Sequence, residues 1–115
     1  MRLLGNRGED LAAGFLRKKG YRILSRNYRS PVGEADIIAE EGRTIVFIEV
    51  KTRTDDSFGR PFEAVDYRKR EKIKRIALYY LKRYKITDRP LRFDVMSIEM
   101  SGENSRIEHI TDAFE

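Results

Sequence analysis

Apolar positions along this chain recur with two different periods. Between residues 6 and 19, Glu9 falls in line with Ala12, Ala13 and Leu16 at steps of three, four and seven, which predicts a helix. Asn6 is placed to cap it, Glu9 and Asp10 suit its positive end, and Arg17, Lys18 and Lys19 suit the other. Gly20 then lets the chain leave in a left-handed conformation. From residue 21 the character changes. Residues 21–28, 34–40 and 44–52 predict three short strands, separated by the turn residues Ser30, Pro31 and Gly33 and by Glu41-Gly42. Residues 53–61 hold Asp55, Asp56, Ser57 and Gly59 and read as a loop. Helical spacing returns with Ile73, Ile76, Ala77, Tyr80 and Tyr84, so a long helix starts near Glu63 or Asp66 and ends near Tyr84. Thr87-Asp88-Arg89-Pro90 breaks it, residues 91–100 form a fourth strand, and residues 106–110 are a candidate fifth. The order αβββαββ predicts an α/β fold, a single domain over residues 1–115 whose acidic tail, about 112–115 with Asp112 and Glu115, is loose.

Composition narrows the chemistry. At 115 residues, 40% hydrophobic and 37% charged, the chain has enough apolar surface for one core and too much for wholesale disorder. No apolar run approaches the roughly 20 residues of a membrane span, and Met1 to Leu4 is too short for a secretory core before Gly5, Asn6 and Arg7. A cytoplasmic protein with no membrane partner is expected. The absence of cysteine excludes disulfide scaffolds, zinc ribbons and thiol catalysis, and the single histidine, His109, excludes clustered-histidine metal sites. Any catalysis therefore falls to carboxylates, lysine, tyrosine and serine. The net charge of +5 is unevenly spread: residues 66–85 hold nine basic and two acidic residues, a local +7, so the rest carries −2. This concentration in Arg68, Lys69, Arg70, Lys72, Lys74 and Arg75 and the lysines beyond suggests a polyanion-facing surface, with a merely solvated helix face as the alternative.

Strand alternation exposes a candidate site. In residues 45–51, Val46, Ile48 and Val50 share one face, whereas Ile45 and Phe47 share the other with Glu49 and Lys51. On the preceding strand Asp36 shares a face with Ile38. A tight turn joins the two strands, so they pair antiparallel and Asp36 and Glu49 lie across from each other at similar depth. Two converging carboxylates repel unless a proton or cation sits between them, and such hard oxygen ligands suit Mg²⁺ or Mn²⁺. An adjacent lysine completes a site for hydrolysing a phosphodiester. A plain ion pair, with Lys51 neutralising Asp36 or Glu49, is the competing reading. Glu9, on an apolar stripe, is either a further member of the site or a first-turn residue favoured by the helix dipole. Lys69, four residues before Ile73, either points to the sheet and meets a phosphate or snorkels outward.

The segments Gly33-Glu34-Ala35-Asp36-Ile37-Ile38-Ala39 and Phe47-Ile48-Glu49-Val50-Lys51-Thr52-Arg53 resemble the signature of the YraN-like family of uncharacterised bacterial proteins. Gly8-Glu9, Phe58-Gly59-Arg60-Pro61, Glu63-Ala64-Val65-Asp66, the basic helix and Arg92-Phe93-Asp94-Val95 extend the resemblance over nearly the whole chain. That family in turn resembles the restriction-endonuclease-like PD-(D/E)xK nucleases, notably archaeal Holliday-junction resolvases. The resemblance implies an αβββαβ core, a mixed central sheet flanked by helices. It also implies that Asp36, Glu49 and Lys51 are the catalytic acid, acid and lysine, with Glu9 assisting and the Val50 backbone carbonyl as an added metal ligand. Ala35 stands where the motif has proline.

Three functions compete on these grounds. The first is a Mg²⁺- or Mn²⁺-dependent DNA endonuclease acting on branched or damaged DNA, the loop of residues 53–62 closing over substrate with Gly59 as hinge. The second is a module that keeps the nuclease fold and binds nucleic acid without cutting. The third is an interaction protein whose basic helix meets an acidic partner. Tyr67 and Tyr79 are open to base stacking, while Tyr84, on the apolar stripe, packs. Resolvase-like enzymes act commonly as dimers, so a homodimer is compatible with the first reading, although no dimer face is legible in the sequence.

Overall fold

A strand that is apolar on both faces over most of its length has to be covered on both sides. The computed structural model, which describes residues 4–54 and 66–115, provides that cover with one helix on each face of a five-stranded sheet. The elements are α1 (Leu4–Lys18), β1 (Arg22–Arg29), β2 (Glu34–Glu41), β3 (Thr44–Thr54), α2 (Tyr67–Arg83), β4 (Leu91–Ser101) and β5 (Asn104–Phe114). The sheet order is β1-β2-β3-β4-β5. Neighbours run antiparallel except β3 and β4, which are parallel and joined through α2. This mixed sheet with two flanking helices has the αβββαβ-type core expected from the order of elements, plus one further strand.

The alternation read along residues 45–51 matches the two cores. Val46, Ile48 and Val50 pack with Ala12, Ala13 and Leu16 of α1, and Ile45 and Phe47 pack with Ile73, Ile76, Ala77 and Tyr80 of α2. Asp66 caps α2, its carboxylate accepting the Lys69 amide hydrogen at 2.9 Å. Tyr84 ends the helix half-exposed with its ring against Tyr80, centroids 4.8 Å apart.

Two sequence expectations are corrected. Helix α1 begins at Leu4, so Asn6 lies inside it rather than capping it, and Glu9 and Asp10 fall beyond the first turn where the dipole would favour them. Nor is the tail loose up to its last residue: β5 runs to Phe114, which is buried and stacks on Phe93 at 5.2 Å. The cause is Asp94. This carboxylate is fully buried on β4 and accepts from Arg92 Nε and the Asp112 amide, each 2.9 Å away, so it draws the end of β5 in. The expected hinge loop around Gly59, and the segments Phe58-Gly59-Arg60-Pro61 and Glu63-Ala64-Val65, lie outside the described residues.

His109 completes the Asp94 network from β5. Its Nε2 lies 2.8 Å from Asp94 Oδ2, and Lys19 Nζ lies 3.0 Å from Nδ1, an arrangement in which Nδ1 accepts and Nε2–H donates. Arg92 also reaches Glu41 and the Tyr21 hydroxyl, both at 2.6 Å. Burial pushes the Asp94 carboxyl upward, but the donors His109, Arg92 and the Asp112 amide outweigh it and hold the group below its ordinary range. The stabilisation is therefore present above the ordinary aspartate range and is lost as pH falls through the lowered value. Asp94→Ala should cost about 3–5 kcal/mol in urea unfolding at neutral pH, because it leaves the His109 imidazole and the Asp112 amide without their acceptor and takes one of two anions from Arg92. A loss under about 1 kcal/mol would show that the network is dispensable.

Candidate functional site

Antiparallel pairing of β2 and β3 holds from Glu41–Thr44 to Ile37–Ile48, and Asp36 and Glu49 are the next residues along each strand. Beyond that point the Asp36 side chain takes over from the backbone. Its Oδ2 accepts the Val50 amide hydrogen at 2.8 Å. The amide and carbonyl of one strand residue project to the same edge, so the Val50 carbonyl also faces the gap between the strands. Asp36 and Glu49 thus meet across this gap, as the alternation predicts.

Glu49 is only 8% exposed on the central strand, where an unpaired carboxylate is costly. Two ammonium groups answer it from two elements: Lys69 Nζ of α2 at 2.5 Å and Lys51 Nζ of β3 at 3.9 Å from the same oxygen. The two lysines then diverge. Lys51 is pushed down, by burial first and then by the neighbouring Lys69 charge. Lys69 is pulled up, since its contacts with Glu49 and Lys51 outweigh its burial. The sequence leaves Lys69 between an inward and an outward orientation despite its step of four to Ile73, and the contact with Glu49 decides inward.

Burial, then the Glu49 charge, push Asp36 up to about 6, and Glu9 adds to this against the Val50 hydrogen bond. Glu9 comes from the opposite layer. A Cβ at Gly8 would overlap the Thr52 hydroxyl of β3, so glycine is what lets α1 approach the sheet here. With the Asn27 amide turned to donate, its nitrogen lies 2.7 and 3.2 Å from the two Glu9 oxygens. Glu9 is raised by burial, with Arg26 opposing and Glu49 reinforcing. It belongs to the electrostatic field of the site without bonding Asp36 or Glu49. Asn27, at φ 53° in β1, carried no signal in the sequence.

On the α2 side the carboxylates open into a cleft of about 360 Å³ lined by Gly33, Glu34, Asp36, Glu49, Lys69, Lys72, Ile73 and Ile76. Gly33 sits there at φ 155°, a backbone conformation that residues with a side chain rarely adopt, and a Cβ would also crowd Lys72 and Ile76. Of the six expected basic contacts, Arg68, Lys72 and Arg75 are exposed and fall at helical spacing on one stripe. Lys69 turns to Glu49. Lys74 pairs with Glu71 at 3.0 Å, and Arg70 lies 5.6 Å over the Phe114 ring, so these two leave the stripe.

The family profile described as uncharacterised protein family UPF0102 matches residues 8–98, which spans the site and both helices. The chain belongs to the UPF0102 family. It is 50% identical to a UPF0102 protein of Thermodesulfovibrio yellowstonii over 111 residues, 96% of this chain and 95% of the relative. A Geobacter sulfurreducens UPF0102 protein is 49% identical over 115 residues, 99% of this chain and 90% of the relative. One from Caldicellulosiruptor saccharolyticus is 50% identical over 103 residues, 90% and 87% of the two chains. This is the YraN-like family whose signature the sequence resembles.

The donor set of this UPF0102 chain suits a hard divalent cation. The Glu49 charge destabilises that of Asp36, and the Val50 carbonyl adds a neutral oxygen on the same side. Among the described residues no three carboxylate or imidazole groups converge as a cage. Mg²⁺ usually draws one or two protein carboxylates and keeps waters for the rest, so two acids suffice.

The raised Asp36 carboxyl has a measurable consequence. The folded chain retains this proton between the ordinary aspartate value and about 6, while the unfolded chain releases it. This contribution to stability is present at low pH and is lost as pH rises through about 6. Asp36→Asn keeps an acceptor for the Val50 amide and removes the buried charge. In chelator at about pH 8 it should be more stable than wild type by about 1–3 kcal/mol, with the difference shrinking toward about pH 5. An Asn variant no more stable at the higher pH would refute the strained-carboxylate account.

Proposed function

We propose that this UPF0102 chain is a metal-dependent nuclease that hydrolyses phosphodiester bonds of DNA, branched or damaged DNA included, in repair or recombination. The observation that carries this reading is the meeting of Asp36 and Glu49 at the parting of β2 and β3, beside two lysines and a cleft that a third lysine lines. Asp36, Glu49 and the Val50 carbonyl, with Glu9 behind them, are the residues to hold Mg²⁺ or Mn²⁺. When bound, the ion supplies charge neutralisation at the phosphate and a more acidic water.

The chain's own groups do the rest. Lys51, whose proton is loosened by burial and by Lys69, holds the attacking water in line with the leaving oxygen. Lys69, which pairs with Glu49, would be released to meet a phosphate oxygen if that carboxylate held the ion. Arg68, Lys72 and Arg75 grip flanking phosphates without reading sequence. A second reading, a nucleic-acid-binding module that does not cut, draws on the Lys69–Glu49 contact, in which one carboxylate already has its cation.

Labelled single-stranded, duplex, flap and four-way-junction DNA with Mg²⁺ or Mn²⁺ distinguishes the two. Cleavage is expected from wild type and should fall at least ~100-fold in both Glu49→Ala and Lys51→Ala. Equal cutting by all three proteins would sink the nuclease reading. Binding without cutting, weakening with salt at a slope of about −0.9 per neutralised phosphate on duplex DNA, would establish the module instead.

A further inference from the structure

The two outer edges of the sheet are built differently. An edge strand presents unpaired amides and carbonyls, and proteins commonly blunt it with cations, bulges or proline. Edge strand β1 is blunted: it carries Arg22, Arg26 and Arg29, a register shift between Ile23 and Ser25, and Asn27 at φ 53°. Strand β5 has its irregularity only at the far end, where the register shifts opposite Phe93 to Val95 and Asp112 takes φ 53°. From Asn104 to Ile110 it pairs regularly with β4, holds no proline and carries a single cation, Arg106, with Glu108 two residues on. The helices pack chiefly across β1 to β4.

The register of β5 dictates which groups point outward. Ser101 and Asn104 flank the two-residue turn Gly102-Glu103, which makes them a hydrogen-bonded pair. Alternation then spends the amides of Asn104, Arg106, Glu108 and Ile110 on β4 and leaves those of Ser105, Ile107 and His109 facing out. An antiparallel second copy meets these groups when Ile107 pairs with Ile107 and Ser105 with His109. The intervening residues then form the non-hydrogen-bonded pairs, whose Cα atoms approach to about 4.5 Å. Those residues are Arg106 and Glu108, so each cation faces a partner anion, twice over. Both side chains are exposed, and neither has an ion-pair partner among the described residues.

We infer that β5 is a self-complementary edge at which two copies of this chain join antiparallel about Ile107, making one continuous sheet across the dimer. The occupant is a second copy because the same register that matches the free amides also matches the charges. The two-fold axis stands perpendicular to the sheet, so both α2 faces, and with them both Asp36–Glu49 clefts, open to the same side.

Sedimentation of the full chain over a range of concentrations tests this, with hydrogen exchange as the local readout. A reversible dimer is expected with a dissociation constant on the order of tens of micromolar, as suits a small edge interface. Amide exchange at Ser105, Ile107 and His109 should slow as concentration rises. Arg106→Glu and Glu108→Arg should each weaken self-association about tenfold or more, since each sets like charges opposite one another. Mixed in equal amounts, the two variants should recover a dimer, and that recovery also shows that both fold. A chain that stays monomeric up to about 1 mM, variants that associate like wild type, or protection appearing away from β5 would each overturn the proposal.

Discussion

A carboxylate on the central strand, nearly closed off from water, has to be balanced by a cation, and that requirement organises one half of this molecule. Glu49 sits where β3 is covered by α2, so the helix that buries it must also supply the compensating charge. Lys69 does so from the first turn of α2, directly after the Asp66 cap sets where the helix begins. The start of the helix, its apolar stripe and the neutralisation of the site are therefore one arrangement.

The opposite layer meets a different demand. There Val46, Ile48 and Val50 give α1 an apolar bed, and Gly8 brings the helix down onto Thr52 at the end where β2 and β3 part. Close packing carries Glu9 toward the carboxylates from behind, while Asn27 fixes its oxygens. Charge burial is tolerated on both faces of the sheet, but on different terms. Asp94 is satisfied by three donors and sits below its ordinary pKa range, whereas Asp36 has one backbone donor and two carboxylate neighbours and sits above its range. The first pattern is that of a structural anchor. The second leaves the Asp36 carboxylate short of positive charge, which is the feature the proposed cation site rests on.

Much of the site was legible because strand alternation is strict. Once residues 45–51 are a strand, the placing of Glu49 and Lys51 on one face follows, and the tight turn before them brings Asp36 opposite. The basic helix was legible as a segment but not as a surface. Six cations in eight residues wind around a helix, and only contacts with Glu49, Glu71 and Phe114 separate the exposed stripe of Arg68, Lys72 and Arg75 from the other three. The helix start at Leu4 is not legible, because Asn6 is a good cap and no apolar residue extends the stripe ahead of Glu9.

What the sequence determined by itself is periodic and local: the order of elements, the two faces of β3, the apolar stripes of α1 and α2, and the opposition of two acids across a turn. These depend on neighbours within one strand or helix, where geometry repeats. Tertiary structure alone decided that β3 and β4 run parallel, that Asp94 ties down the end of β5, that Asn27 holds Glu9, and that Lys69 and not Lys51 makes the close contact with Glu49. Each of those joins residues far apart in the chain, and no repeat in the sequence records a distance between separate elements.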